Sequence, residues 1–430
     1  MSVRIESLDQ EARGIARAEG KAVFIDGALP GELVEYSPYR KKPNYDLAQL
    51  SAVIHPSAMR VEPRCIYFAK CGGCNMQHLD ERAQVAIKQR ILEDNLARIG
   101  KVRPDSMLPP IYGMAWRYRH RARLAVRHVE KKGGVLVGFH EKKSSFVVEM
   151  ESCEVLPEHV AALLRPLRDL IGELTVRNRI PQIDVAVGEA VTVLVLRILD
   201  ALSEGDESLL KEFAERQRIQ FWLQPKGPES AYPFHPLNAP DLYYRLPEFA
   251  LTIAYRPSEF TQINPSMNHA LVSRAVNLLD PRPEDRIGDL FCGLGNFSLA
   301  LARRGARVVG VEGNGSLVQR AMANAAANGL TALTRFVAAD LFEDAGATLE
   351  NLGRFDKMLI DPPRDGAVEV VKALAEEAPR CIAYVSCNPA TLARDAALLV
   401  HTKGYTLRAA GIINMFPHTA HVESIALFER

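Results

Sequence analysis

The sequence predicts an α/β fold: a parallel sheet covered on both faces by helices, preceded by a small β-barrel and an α+β region. Three observations predict it. From Asp280 onward, short apolar runs alternate with helical stretches, which is how strand–helix–strand units read. Residues 1 to about 55 carry short β-type runs broken by turn pairs such as Asp26-Gly27 and Pro30-Gly31, as in a small all-β barrel. Between them, strand-like runs (Ile183 to Val187, Val191 to Leu196) accompany a helical stretch around Glu207 to Arg216. At 430 residues the chain is too long for a single core, and it divides into 1–58, 59–255 and 256–430.

Composition narrows the class. Hydrophobic residues make up 47% and charged residues 24% of the chain, as in ordinary water-soluble proteins. Arg4, Glu6 and Asp9 near the N-terminus exclude an apolar secretory leader. No apolar run nears the ~18 residues that a membrane span needs, so no membrane partner is expected. Seven cysteines are an odd count without a disulfide-like spacing, which points to the cytoplasm.

In the first segment, Tyr36, Tyr39, Arg40, Lys41, Lys42 and Tyr45 interleave aromatics with positive charge. Both a single-stranded nucleic-acid surface and a solvated loop fit that pattern. The runs Leu8 to Ala16 and Gly27 to Glu32 resemble the TRAM domain, a small RNA-binding barrel.

Next come Cys65, Cys71 and Cys74, with Cys153 further on. Three cysteines in ten residues around Gly72-Gly73 read as metal ligands on a tight loop, with iron–sulfur and structural zinc both open. The C-x5-C-x2-C spacing differs from that of radical enzymes, so the metal is expected to serve structure or RNA recognition. A helix from Asp80 to about Ile99 should follow, burying Ala83, Ile87, Ile91 and Leu92. Across residues 82–143, fifteen Lys and Arg oppose five acids, an excess of ten that the near-zero net charge conceals. Arg117, Arg119, Arg121 and Arg123 recur at period two; on one strand they would share a face and track phosphates.

In the C-terminal half the expected strands are Arg286–Phe291, Arg307–Glu312, Thr334–Ala338, Lys357–Ile360 and Cys381–Val385, closed by Tyr405–Ile413 and Val422–Phe428. Ligands in such sheets lie beyond the strands' carboxyl ends, and the chemistry-bearing residues fall there. Phe291-Cys292-Gly293-Leu294-Gly295-Asn296 is a strand entering a glycine turn, suited to a nucleotide cofactor. Glu312, ending the next strand, could accept from ribose hydroxyls; NAD and S-adenosylmethionine sites both use such an acid. Asp361-Pro362-Pro363-Arg364 resembles the fourth motif of S-adenosylmethionine methyltransferases. Cys387 stands between a strand end and a helix capped by Asn388-Pro389, where the helix N-terminus favours thiolate.

These residues suggest pyrimidine C5 chemistry. C5 is a poor nucleophile, but thiolate addition at C6 makes it enolate-like, and a base must then remove the C5 proton. Glu423 is the favoured base, with His418 and His421 as rivals. An NAD-dependent oxidoreductase would leave Cys387, Asp361 and the four clustered cysteines without roles. A non-catalytic RNA-binding protein would not need a cysteine and an acid at the sheet's edge.

Together the barrel, the four cysteines, Phe291 to Phe297, Asp361 to Arg364, Ser386 to Asp395 and His421-Val422-Glu423 resemble the RNA uracil-5-methyltransferase family over essentially the whole chain. Within it the barrel, cysteines and length are similar to the bacterial enzymes of 23S ribosomal RNA. The resemblance implies an S-adenosylmethionine-dependent, Rossmann-like methyltransferase domain, an N-terminal OB-like TRAM barrel and an α+β central domain carrying an iron–sulfur cluster. It implies a [4Fe-4S] cluster on Cys65, Cys71, Cys74 and Cys153, Cys387 as nucleophile and Glu423 as base. It also implies S-adenosyl-L-methionine contacts at Gln262, Phe291, Asn296, Glu312, Asp340 and Asp361. The expected partner of this monomer is 23S ribosomal RNA; a tRNA or another ribosomal site is the alternative.

Overall fold

The computed structural model describes residues 1–375 and 378–430. The C-terminal sheet has seven strands from the last third of the chain: β1 (Arg286–Leu290), β2 (Arg307–Glu312), β3 (Thr334–Ala338), β4 (Lys357–Ile360), β5 (Cys381–Ser386), β6 (Thr406–Ile413) and β7 (Glu423–Glu429). Their order is β3-β2-β1-β4-β5-β7-β6. β1 to β5 are mutually parallel, whereas β7 runs antiparallel to both neighbours. β4 and β5 are wholly buried, which explains why they read as unbroken apolar runs. The edge is completed from far upstream: Ser106–Met107 pairs parallel to β6, with Ser106 opposite Ala409.

The sheet's amino-terminal side is pinned by charge. Asp285, 1% exposed, receives Lys357 at 2.8 Å and Arg380 at 2.6 Å, tying the approaches to β1, β4 and β5. The opposite, carboxyl side is left for the site. The reversal of strand order between β1 and β4 opens a crevice there.

Strands Ser2–Arg4, Ser7–Leu8, Arg13–Ala18, Lys21–Asp26, Leu33–Lys41 and Tyr45–His55 form the N-terminal six-stranded sheet. It closes over Ile5, Ala16, Val23, Ile25, Val34, Tyr36 and Ala48. Tyr36 therefore belongs to the core and not to an RNA face. Glu32 is fully buried and accepts from the Leu29 N–H at 2.8 Å and from Arg60 Nη2 at 2.9 Å. Those donors hold its carboxyl below the usual range despite burial.

A second six-stranded sheet, Arg121–Val129, Gly134–Gly138, Gln182–Val187, Thr192–Arg197, Gln220–Gln224 and Tyr232–His235, forms the middle of the molecule. The expected period-two arginine face does not form, because the strand starts only at Arg121 and Arg117 has φ 59°. Each guanidinium has a different task. Arg117 donates to the Cys153 carbonyl at 3.1 Å, Arg121 to the Pro257 carbonyl at 2.6 Å, and Arg123 to Asp184 at 2.8 Å. Only Arg119 lines the large cleft described below.

The helix Glu81–Asn95 is capped by the Asp80 carboxylate, which accepts from the Arg82 and Ala83 N–H groups. Ile91 and Leu92 are buried as expected, but Gln84, Val85, Lys88 and Asn95 are buried with them, while Ala83 and Ile87 are half-buried. Gln84 and Lys88 are buried there because the helix packs under a loop, residues 414–420, whose polar groups need partners, whereas Asn95 donates to the Ile91 carbonyl and accepts from Gln10. Lys88 Nζ donates to Asn414 Oδ1 and the Phe416 carbonyl, both at 2.8 Å. Burial without a carboxylate pushes Lys88 down to about 7.

Candidate active site

The loop after β1 is shaped by backbone that side chains rarely adopt. Phe291 has φ 64°, Gly293 55° and Gly295 89°, so the chain turns back under the crevice at a conformational cost concentrated at Phe291. Glu312 at the end of β2 holds this turn: its Oε2 accepts from the Gly293 N–H at 3.1 Å and its Oε1 from the Asn314 N–H at 2.9 Å. Asn296 is locked by Tyr244, whose hydroxyl donates to Oδ1 at 2.9 Å, and by a reciprocal amide pair with Asn268 at 3.0 and 3.1 Å. Asp340 accepts from the Phe342 N–H at 2.8 Å, and the Phe342 ring lies 5.6 Å from that of Phe291.

Cys387 follows β5 and precedes the helix Pro389–His401, which Asn388 caps by accepting from the Ala390 N–H. The same turn straps down the loop after β4. The Arg364 carbonyl accepts from Asn388 Nδ2 at 3.1 Å and from Thr391 Oγ1 at 3.2 Å. A buried triad lies beneath: Tyr384 donates to Asp395 at 2.6 Å, and the Ala367 N–H donates to both. Asp361 and Arg364 are thus fixed against the cysteine.

The electrostatics correct one expectation. Burial pushes the Cys387 thiol up to about 11, the charges of Glu423 and Asp361 add to that, and Arg364 opposes it. Desolvation first, then Glu423 and Asp361, thus favour the thiol in the ligand-free protein, against the thiolate expected from the helix N-terminus. Glu423, 3% exposed at the start of β7, is raised well above the carboxylate range by burial and then by Asp361. Asp361 rises to about 7 through burial alone.

The histidines separate. His421 is pushed down to about 4 by burial and by Arg364, and its Nδ1 lies 2.8 Å from Arg364 Nη2. As a neutral acceptor it orients Arg364, the cation that lowers both Cys387 and Glu423. His418 is 1% exposed, bonded to Gln84 and stacked 3.9 Å from the Trp116 ring. It does not line the crevice, which removes it as a rival base.

A cavity of about 690 Å³ fills the crevice. Gln262, Phe291, Asn296, Glu312, Asp340 and Asp361 all line it, with Cys387 and Glu423 at one end. A wider cleft of about 1060 Å³ lies outside, walled by the barrel, the cysteine loop and the turn at Cys387. Four residues border both spaces: Arg364, Cys387, Phe416 and His421. The sequence reading did not single out Phe342, Phe416, Tyr244 or Asn268. Their only signal would have been aromatic or amide residues beside elements whose pairing is long-range.

Cys65, Cys71, Cys74 and Cys153 line one small cavity of about 20 Å³, roofed by Phe68, Phe139 and Met150. All seven cysteines of the chain are free thiols. The Gly73 N–H donates to Cys71 Sγ at 3.4 Å, the inward turn that the paired glycines suggested. Among the described residues no three His, Cys, Asp or Glu side chains form a group that could hold one metal ion.

With this geometry in place, the comparisons with known proteins can be stated. The family model described as tRNA (Uracil-5-)-methyltransferase matches residues 84–430 and that of the TRAM domain matches residues 1–35. A 23S rRNA (uracil(1939)-C(5))-methyltransferase RlmD from Nitrosospira multiformis is 61% identical over 430 residues, covering 100% of this chain and 98% of that protein. The protein of the same description from Dechloromonas aromatica is 59% identical over 426 residues, covering 99% of each. The crystal structure of Pyrococcus abyssi tRNA (uracil-54, C5)-methyltransferase in complex with S-adenosyl-L-homocysteine shares the fold over 100% of both chains, at TM-score 0.76 and 23% identity. Matched along most of its length by sequence and along all of it by fold, the chain belongs to the tRNA (uracil-5-)-methyltransferase family, with an N-terminal TRAM domain.

Proposed function

We propose that the protein methylates C5 of a uridine in 23S ribosomal RNA through a covalent adduct between Cys387 and C6. The observation that carries this reading is the shared wall. Cys387 and Arg364 border both the inner cavity and the outer cleft, so a base inserted from the cleft meets a methyl donor held in the cavity. The 23S substrate is favoured over tRNA by relatives of that description at 61% and 59% identity.

The cavity suits S-adenosylmethionine. About 690 Å³ lies in the range of cofactor pockets, with Glu312 near the β2 end for ribose, Phe291 and Phe342 for a flat ring, and Asp361 for positive charge. Bound there, the cofactor supplies an electrophilic methyl group on a sulfonium. Positive charge beside Asp361 lowers the acids that burial has raised, so Cys387 and Glu423 both ionise more readily. With the cofactor held there, Cys387 Sγ, its proton lost to solvent, would bond to C6 as the C5–C6 π pair moves toward O4, and C5 would take the methyl group as the methyl–sulfonium bond breaks and its electron pair stays on that sulfur. Glu423 removes the C5 proton, and the pair left behind re-forms C5=C6 as the Sγ–C6 bond breaks and returns its electrons to sulfur. Arg364, oriented by His421, stabilises the anionic stages.

A [4Fe-4S] cluster fits Cys65, Cys71, Cys74 and Cys153. Four free thiols line one small cavity, the donor set that such a cluster takes. Such a cluster would cross-link distant chain segments and would take no part in the bond-making steps. In this reading residues 1–58 serve as an RNA-binding barrel, 59–255 as the cluster-bearing RNA-binding part and 256–430 as the methyltransferase domain. The reading is of a monomer in the cytoplasm, where unpaired thiols persist. No described helix is long and apolar enough to cross a membrane.

Incubation with S-adenosylmethionine and unmodified 23S RNA, followed by nucleoside mass spectrometry, should yield 5-methyluridine. Methylation of tRNA but not of 23S RNA would move the substrate to the alternative. Iron and acid-labile sulfide near four per chain support the cluster; stoichiometric zinc refutes it.

A further inference from the structure

The four-cysteine loop has contacts that metal ligation does not require. Asn75, the residue after Cys74, makes three bonds to two distant parts of the chain. Its N–H donates to the His418 carbonyl at 3.0 Å, joined there by the Met76 N–H at 3.0 Å. Its side-chain Oδ1 accepts from the Ala420 N–H at 2.9 Å, and its Nδ2 donates to the Glu11 carbonyl of the barrel at 3.2 Å.

Within itself the segment it grips has one turn at Thr419, whose N–H and Oγ1 donate to the Phe416 carbonyl at 3.3 and 3.0 Å and whose Oγ1 accepts from the His421 N–H at 3.3 Å; its other partners lie outside. His418 has φ 64°, unusual for a residue with a side chain and kept only where surroundings insist. Its N–H goes to Gln84 at 2.8 Å, and the neighbouring Pro417 carbonyl accepts from Tyr118 at 2.9 Å. Tyr118 shares a core with Cys71 and Cys153. Residues 417–420 are therefore clamped from outside by the chain segments around the cysteine site. What they carry is the wall between the two cavities: Phe416 on one side and His421 on the other, rings 5.3 Å apart, with His421 holding Arg364.

We infer that Asn75 is a positioning residue that couples the cysteine loop to the base-binding wall, setting His421, and through it Arg364, at the reacting position. The cysteine site then serves turnover as well as RNA affinity. This inference rests on the proposed methyl-transfer reading for its kinetic consequence, but its structural content does not.

Two variants separate the contacts. Asn75→Ala removes the acceptor for Ala420; Asn75→Asp keeps that acceptor and loses only the donor to the barrel. In the metal-loaded protein, Asn75→Ala should lower kcat about tenfold or more, since misplacement by an ångström costs up to about 10²-fold. The RNA Kd should stay within about twofold, and Asn75→Asp should recover most of kcat. Hydrogen exchange gives the second readout. The Ala420 N–H should lose protection in Asn75→Ala and keep it in Asn75→Asp, whether or not methylation is measured. Retained protection in Asn75→Ala, or a fall in activity accounted for by RNA affinity alone, overturns the inference. If Asn75→Ala does not fold, Asn75→Asp decides: near-normal kcat and a protected Ala420 support the role, and loss of both refutes it.

Discussion

Two arginine-bearing stretches show how differently a pattern can translate into place. At Asp361–Arg364 and Cys387 the residues lie at the carboxyl ends of adjacent parallel strands, β4 and β5. Register brings the strand ends together, and bonds from Asn388 and Thr391 to the Arg364 carbonyl fix the loop between them. At Arg117–Arg123 an equally regular spacing yields no common face, because the backbone before Arg121 is bent by bonds to the Cys153 segment, including Arg117 N–H to the Glu154 carbonyl at 3.1 Å and Arg119 N–H to the Val155 carbonyl at 2.9 Å. Periodicity reports position only where the segment is a regular element. Topology then decides whether regular elements meet.

The sharpest way to break this contrast is at the strand ends. Cys387→Ala should lower methyl transfer by at least about 10⁴-fold, as removal of a covalent nucleophile does. Single-turnover assays with RNA would check it, and a loss under tenfold would mean that the convergence at β5 is incidental. Glu423→Gln should slow product release by about 10²–10⁴-fold, with the enzyme–RNA adduct persisting. Normal turnover would transfer the proton to His421, the rival that still borders the cavity.

Asp361 predicts a pH dependence. Its carboxyl stands at about 7 in the ligand-free protein, and a bound cation lowers it. Binding at pH below 7 must displace a proton. Through Asp361 alone, the affinity for S-adenosylmethionine should therefore fall below pH 7 by up to about tenfold per pH unit. Calorimetric titrations between pH 5.5 and pH 8.5, chosen to bracket about 7, would show it; a flat profile would mean that Asp361 is not the carboxylate facing the positive charge.

The arginine stretch should show the smaller and divided effects. Arg119→Ala, at the cleft, should reduce the salt slope of RNA binding by about 0.7–1, one phosphate contact. Arg121→Ala should leave that slope alone and lower Tm by several degrees, because its guanidinium bonds the Pro257 carbonyl and lies 5.7 Å from the Tyr255 ring. Equal slope changes from both would restore the phosphate-tracking face.

What could be read in the sequence follows the same division. Each C-terminal strand lies within a residue or two of its expected place, because strands buried on both faces read as apolar runs. All eight site residues expected there line one cavity. The protonation state of Cys387 could not be read, since it depends on Glu423 and Asp361 arriving from other strands. The buried face of Glu81–Asn95 escaped in part for a related reason. Gln84 and Lys88 look like surface residues until residues 414–418 are laid against them. Tyr36 misled in the opposite sense, an aromatic in a basic stretch that turns into the barrel core.

The central claim is that Cys387 bonds to the base. RNA containing 5-fluorouridine tests it most directly, because fluorine cannot leave C5 as a proton does and the adduct should be trapped. With S-adenosylmethionine present, the wild-type protein should give a protein–RNA band that survives denaturing electrophoresis, and Cys387→Ala should give none. An undiminished band from Cys387→Ala, or no band from a wild-type protein that methylates ordinary RNA, would contradict the account.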